Sequence, residues 1–306
     1  MFKFQPVILI FFLISIRSLA FQSRDEIGLG FTDNATLSST DKRSDTYLKL
    51  STNDSVEYRD QKIQFRGGYL DYFKVHEDDL LFWNIKDKFP LVQAWTLSAG
   101  LFGNHYLNES PGITDEAFSN VGGEAKGENQ IKLGDRRRFY WGPGAEVRRY
   151  YELSTRTDNT LSAEATFEYD TSPVSVFNSF GRTAVVISNQ SDYSRDYLDI
   201  GAGFDYVFKK DWSWYTDIDY KHTSFFSRVA SANTITSRLR GKGSSVSKTT
   251  NTIEAYDNIQ LFTKITRNFF PRWSFGCQLT LENQSSISGL ETYTATNLYG
   301  FVAGYF

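Results

Sequence analysis

Apolar residues recur at every second position in this chain, over stretches longer than an ordinary sheet uses. From Asp196 to Lys209, Leu198, Ile200, Ala202, Phe204, Tyr206 and Phe208 alternate with Tyr197, Asp199, Gly201, Gly203, Asp205 and Val207. Successive side chains of a strand point to opposite faces, so one face is greasy and the other polar or small. The pattern repeats where Leu161, Ala163, Ala165, Phe167 and Tyr169 face away from Ser162, Glu164, Thr166 and Glu168. It returns where Trp212, Trp214, Ile218 and Tyr220 oppose Ser213, Tyr215, Asp217, Asp219 and Lys221. Strands of soluble proteins average about 5–6 residues, whereas a tilted strand crossing a bilayer needs about 9–11. Beyond residue 21 no stretch repeats at helical spacing for three turns.

Composition narrows the choice. Hydrophobic residues make up 40% of the chain and aromatics alone 16%, so aliphatic residues are scarce. A soluble globule carries about 45–50% apolar residues. A mean hydropathy of −0.40 excludes a helical membrane bundle, and the many aromatics oppose disorder. With 33 basic and 36 acidic side chains the net charge is −3, which gives no case for nucleic-acid binding. One cysteine, Cys277, cannot form an internal disulfide, and the three histidines have no ligand-like spacing for zinc or haem. No metal or other cofactor is expected.

The first 20 residues read as a secretory signal. Lys3 precedes an apolar run from Val7 to Ile14, and Ser18-Leu19-Ala20 places small residues where a signal peptidase reads. The run is too short for a membrane span of about 20 residues. Residues 21–306 are therefore expected to form one exported domain.

The alternation predicts strands over 25–33, 45–54, 61–74, 79–87, 91–106, 138–153, 159–170, 196–208, 212–226, 252–267, 272–283 and 292–306. That is twelve, or fourteen if Ala184-Val185-Val186-Ile187 forms an extra hairpin. Lys88-Phe89-Pro90, Ser154 to Asp158, Lys209-Lys210-Asp211 and Asn268 to Pro271 are the short connections in this register. Asn108 to Arg137, Thr171 to Arg195 and Ser227 to Asn251 are the long ones. Segregation of short and long connections to opposite rims is what a closed antiparallel transmembrane β-barrel predicts.

The chain stops at Tyr305-Phe306, with Leu298, Val302 and Phe306 at alternate positions. This resembles the C-terminal strand of bacterial outer-membrane β-barrel proteins. The resemblance implies that Phe306 is read by the barrel assembly machinery, and that outer-membrane lipids and lipopolysaccharide surround the fold. Tyr299, Phe301 and Tyr305 make the opposite face of this strand equally apolar, so which face meets lipid stays open.

If the apolar faces meet lipid, the other faces line a lumen whose charges are unevenly placed. The second to fourth spans contribute a basic wall of Lys49, Lys62, Arg66 and Lys86. Later spans contribute an acidic wall of Glu164, Glu168, Asp199, Asp205, Asp217 and Asp219, against Lys221 alone. In a ring of twelve the two walls nearly face each other. They either set up a transverse field that sorts solutes or pair across a narrow lumen and seal it. The resemblance to diffusion porins implies a channel for small hydrophilic solutes. A surface-exposed structural or adhesive barrel is the alternative.

The Asn108 to Arg137 segment, ending in Arg136-Arg137-Arg138, holds the position of the third outer loop, which folds into the pore in general porins. Arg238, Arg240, Lys242 and Lys248 make a later outer loop basic, which reads as a solvated loop, with a contact to lipopolysaccharide phosphates as the alternative. Gly241-Lys242-Gly243-Ser244 lacks the spacing of a phosphate-binding loop. His222-Thr223-Ser224 resembles the His-x-Ser pattern of outer-membrane phospholipase and lipid A deacylase barrels, which implies a lipid-modifying hydrolase as a further alternative. If the hairpin pairs Phe226 with about Thr252, the nearest same-face partner of His222 is Asp257 or Ala255, and Asp257 would orient the imidazole. Phe225 stands where that family has asparagine. Cys277 shares a face with Trp273, Phe275, Leu279 and Leu281 and is read as a small apolar residue. Asn34-Ala35-Thr36 has glycosylation meaning only in a eukaryotic secretory context.

Overall fold

A computed structural model describes residues 22–35, 37, 42–58, 61–76, 79–92, 94–107, 119–151, 156–234, 248–269, 272–288 and 292–306. The expected signal segment lies outside them. Fourteen antiparallel strands form one closed barrel. They are β1 (Gln22–Thr32), β2 (Asp45–Tyr58), β3 (Gln61–Tyr72), β4 (Leu80–Val92), β5 (Trp95–Tyr106), β6 (Asn120–Lys132) and β7 (Arg137–Tyr150), followed by β8 (Thr157–Ser172), β9 (Ser175–Ser188), β10 (Arg195–Lys209), β11 (Trp212–Thr234), β12 (Lys248–Phe269), β13 (Trp273–Ser286) and β14 (Tyr293–Tyr305). Each strand pairs with its neighbours in sequence, and β1 pairs with β14 to close the ring.

Twelve of these strands lie where the alternation places them. The count reaches fourteen through β6 and β9, each inserted into a segment read as a long loop. β9 runs through the whole of the expected Ala184–Ile187 hairpin as a single strand. The outward face of β6 is Val121, Gly123, Ala125, Gly127, Asn129 and Ile131, too poor in large apolar side chains to signal a strand.

The insertions reorder the rims. Connections of two to four residues (59–60, 93–94, 133–136, 173–174, 210–211 and 270–272) lie at the rim that carries the start of β1 and the end of β14, and connections of six to thirteen lie at the other. The segregation by length therefore holds, but Lys88-Phe89-Pro90 falls inside β4, and Ser154 to Asp158 belongs to the long-loop rim. Arg136-Arg137-Arg138 sits at a short turn and the start of β7 instead of closing an outer loop. Residues 108–118 and 235–247, with Arg238, Arg240 and Lys242, lie outside the described residues.

Register settles the faces. Leu298 and Val302 point outward, while Tyr299, Phe301 and Ala303 point inward and are at most 4% exposed. Phe306 also faces outward and packs edge-on against Trp273 at 6.3 Å. Its backbone exchanges two hydrogen bonds with Ser23, fastening the end of the chain to β1. Large apolar side chains such as Ile27, Leu29, Leu101, Leu161, Ile187, Ile200 and Ile218 are 45–64% exposed on the outer surface. An apolar exterior around a closed sheet, with no free strand edge, is what a bilayer accepts.

The long-loop rim has its own clamp. Arg156, fully buried, lies between the rings of Tyr150 at 4.1 Å and Tyr193 at 3.7 Å and donates to both carboxylate oxygens of Asp158, at 3.1 and 2.7 Å. Arg195 adds a second cation to Asp158 at 3.8 Å. Two outer connections are thereby tied together over the mouth.

Candidate functional site: the charged lumen

Strand pairing places all ten side chains of the two expected walls on inward positions. Lys49, Lys62, Arg66 and Lys86 lie on β2, β3 and β4. Glu164 and Glu168 lie on β8, Asp199 and Asp205 on β10, and Asp217 and Asp219 on β11. In the ring of fourteen β3 and β10 are seven strands apart, half the circumference. Their surroundings divide these residues into three sectors.

From β4 to β9 the charges pair sideways. Lys86 meets Glu124 at 3.1 Å, and Lys126 meets Glu164, which Arg182 also approaches at 3.3 Å. Arg138 holds Glu168 at 2.9 Å and Asp170 at 2.8 Å. The first two bonds reach over an intervening strand. Gly100 stands between Lys86 and Glu124 in the register, and a Cβ there would come within 3.3 Å of the Glu124 carboxylate and 2.8 Å of the Ile85 carbonyl. Glu124, Lys126 and Arg182 belong to the two strands that the alternation did not reveal, so this belt of ion pairs was hidden with them. Pairing runs along the wall between near neighbours and leaves the opposite wall untouched.

On β10 and β11 the carboxylates outnumber their partners. Asp199 lies between Arg182 and Lys221 in the register. Asp217 accepts a hydrogen bond from the Tyr215 hydroxyl at 2.7 Å. One carboxylate oxygen of Asp217 and one of Asp219 are buried without a hydrogen-bond partner among the described residues. Asp219 makes no ion pair within 4 Å among the described residues, and neither does Asp205. A cavity of about 180 Å³, lined in part by Arg148, Arg182, Asp199 and Lys221, marks where this sector meets the belt.

The third sector straddles the closing seam, from β12 through β14 and β1 to β3. Here cations rest on aromatic rings. Tyr47 stacks on Tyr299 at 6.1 Å and Tyr299 on Phe301 at 5.8 Å. Lys49 lies 5.1 Å from the Tyr299 centroid, Lys264 4.6 Å from that of Phe301, and Arg24 5.8 Å from the same Phe301 ring. Arg66 sits 5.8 Å from Phe82. The rings lie flat against β1 because Gly28 and Gly30 carry no side chain. A Cβ at Gly30 would stand 2.1 Å from Tyr47 Cζ, and one at Gly28 2.5 Å from Tyr299 Cζ. Arg24 and Lys264 add two cations to the four of the basic wall. Lys264 alternates with Thr263 and Ile265 and was readable as inward, but its nearness to β1 follows only from closure of the ring.

Outside the lumen, His222 and Asp257 face outward on β11 and β12, with His222 Nδ1 and Asp257 Oδ1 2.8 Å apart. Tyr220 donates its hydroxyl to the same oxygen at 2.6 Å. Ser224 pairs with Ala255 in the ladder, and its hydroxyl makes no hydrogen bond to His222. The structure thus joins two of these three residues. Cys277 is exposed on the outward face of β13. At the long-loop rim Asp71, His76 and Asp79 bring one imidazole and two carboxylates within 4.8 Å. Asp79 accepts the Tyr72 N–H at 2.7 Å, and burial pushes its carboxyl above the ordinary aspartate range.

No protein-family model and no curated protein matches the chain. Solved structures do. OmpT, an outer membrane protein of Vibrio cholerae, is 10% identical with a TM-score of 0.51, over 94% of this chain and 96% of its own. OprB of Pseudomonas putida is 7% identical with a TM-score of 0.51, over 94% of each chain. The outer membrane channel DcaP of Acinetobacter baumannii is 9% identical with a TM-score of 0.50, over 94% of this chain and 96% of its own. At such identities the likeness is one of fold, and the fold is that of the bacterial outer-membrane β-barrel proteins. With its apolar exterior and closed sheet, the barrel is built to sit in the outer membrane among lipids.

Proposed function

We propose that this barrel is an outer-membrane channel for small hydrophilic solutes, with fixed lumen charge sorted into an acidic and a basic sector. The observation that carries the reading is the state of Asp217 and Asp219, inward on β11 and without an ion pair within 4 Å among the described residues. Unpaired fixed charge along a pore wall screens ions by sign. In this reading Lys49, Lys62, Arg66 and Lys86 remain the basic wall, with Arg66 the least compensated. Glu164 and Glu168 serve the belt more than the field. Phe306 keeps its role as the assembly signal, and lipopolysaccharide surrounds the outer rim. The reading involves no cofactor, metal or nucleic acid.

Planar-bilayer recording of the purified chain tests this. Stepwise openings with conductance proportional to salt are expected, and no opening at any voltage or salt would return the barrel to a structural or adhesive role. The His222–Asp257 contact favours a second reading, hydrolysis of an outer-membrane lipid by Ser224. Lipid release abolished in Ser224→Ala would establish it. Equal release by that variant, or none by the parent, would remove it.

A further inference from the structure

Arg24, Lys49 and Lys264 converge on the lumen wall at the closing seam, and the ion pairs they make do not balance them. Arg24 donates to Glu26 at 2.8 Å, and Lys49 lies 3.9 Å from the same carboxylate. Glu26 also accepts the Tyr299 hydroxyl at 3.0 Å. Lys264 makes no ion pair within 4 Å among the described residues and shares the Phe301 ring with Arg24. Arg66 acts on Lys49 from the next strand. Three cations sharing one carboxylate leave two positive charges, before Arg66 is added.

The way these cations are held keeps that charge available. A ring face attracts a cation through its quadrupole but carries no net charge, so Phe301 and Tyr299 position the ammonium and guanidinium groups without cancelling them. Tyr299 is 1% and Phe301 4% exposed, so the rings act as a floor and the cations are the surface presented to the lumen. A guanidinium, 30% exposed, beside two ammonium groups offers the charge-assisted hydrogen bonds that a carboxylate takes.

We propose that Arg24, Lys49 and Lys264 form an anion subsite that binds the carboxylate of a small organic acid at the seam of the barrel. Glu26 sets the spacing of Arg24 and Lys49, and the aromatic floor fixes Lys264. The proposal names a solute class for the channel reading and rests on it for transport, while binding itself needs only access from the lumen. Inorganic phosphate offers a related oxyanion, and its larger, tetrahedral shape distinguishes it from a carboxylate.

Equilibrium binding to the full-length barrel in detergent micelles tests this, by calorimetric titration at fixed low ionic strength with succinate, inorganic phosphate and putrescine. Succinate should bind more tightly than phosphate, and putrescine should show no competition. Lys264→Met removes a cation that has no ion pair to break, so it should weaken succinate about ten-fold, the equivalent of about 1.4 kcal/mol. Arg24→Gln should act in the same direction. Lys88→Gln, at the short-turn rim 3.9 Å from Glu128, should leave succinate affinity unchanged. Equal affinity in Lys264→Met and the parent, or no succinate binding by the parent, would overturn the subsite, and tighter phosphate binding would overturn its assignment to carboxylates. A barrel that conducts without binding succinate retires the subsite alone, whereas one that binds succinate without conducting retires the channel reading alone.

Discussion

The belt from β4 to β9 and the seam from β12 to β3 carry similar inward cations, yet each region holds them differently. In the belt Lys86, Lys126, Arg138 and Arg182 lie against carboxylates. At the seam Lys49, Lys264, Arg24 and Arg66 lie against ring faces, with Glu26 the carboxylate that Arg24 and Lys49 share. Both arrangements fix a long side chain in place. Only the first cancels its charge. A count of charged residues on each wall therefore misjudges the field, because what a solute meets is the charge left after sideways pairing. The acidic sector on β10 and β11 is the seam's counterpart, with Asp217 and Asp219 short of partners.

The contrast breaks most visibly at the seam's floor. Gly30→Ala drives a methyl into Tyr47, so the ring must leave β1 and unstack from Tyr299. Overpacking of this kind costs about 1–3 kcal/mol, read as a lower unfolding midpoint in denaturant, and a parent-like midpoint would mean that the rings are not held flat. Next in size is the belt. Glu164→Gln leaves Lys126 and Arg182 without their shared carboxylate, and both groups are partly wet. The cost should fall near 1–2 kcal/mol, between exposed pairs at about 1 or less and buried pairs at about 3–5. Ion selectivity should shift toward anions as well, because Lys126 and Arg182 are left short of their countercharge.

A smaller change is expected from the basic wall. Arg66→Gln should shift the reversal potential toward cations, while Lys62→Gln, at the rim beside a Glu57 that is 65% exposed, should shift it less because solvent screens it. The reverse order would show that the rim charge governs the field. The smallest effect lies at the rim, in Asp79→Asn. Burial raises the Asp79 carboxyl, so the fold favours its protonated form. That contribution is full below the unfolded value of about 3.9 and is lost as pH rises through the folded value. Asparagine keeps an acceptor for the Tyr72 N–H and removes the buried charge. The variant should gain less than about 1 kcal/mol at neutral pH relative to its difference from the parent at pH 3, and a net loss at neutral pH would show that the contact with His76 outweighs burial.

The fold was legible because a membrane strand announces itself on its lipid face. Leu198, Ile200, Phe204 and Phe208 mark β10 without help from any neighbour. β6 escaped because Gly123, Ala125, Gly127 and Asn129 occupy its lipid face, and β9 because Ser179, Gly181 and Thr183 interrupt the apolar run between Phe177 and Val185. Inward and outward positions of the wall residues followed from parity alone. Pairing partners did not, since Glu124, Lys126 and Arg182 sat in segments read as loops. The seam was also beyond the linear pattern: Arg24 and Lys264 are 240 positions apart, and only closure of β1 on β14 brings them over one ring.

The central claim is that unpaired lumen charge, and not total lumen charge, governs which ions pass. Reversal potential across a salt gradient, recorded for Asp217→Asn combined with Asp219→Asn and for Lys86→Gln combined with Glu124→Gln, addresses it directly. The aspartate variant should shift selectivity toward anions at 0.1 M salt, with the shift fading at 1 M as the Debye length falls from about 10 Å to about 3 Å. The Lys86–Glu124 variant removes as many charges but no net charge, and should stay close to the parent. Unchanged reversal potential in an open aspartate variant, or an equal shift in the Lys86–Glu124 variant, would contradict the account.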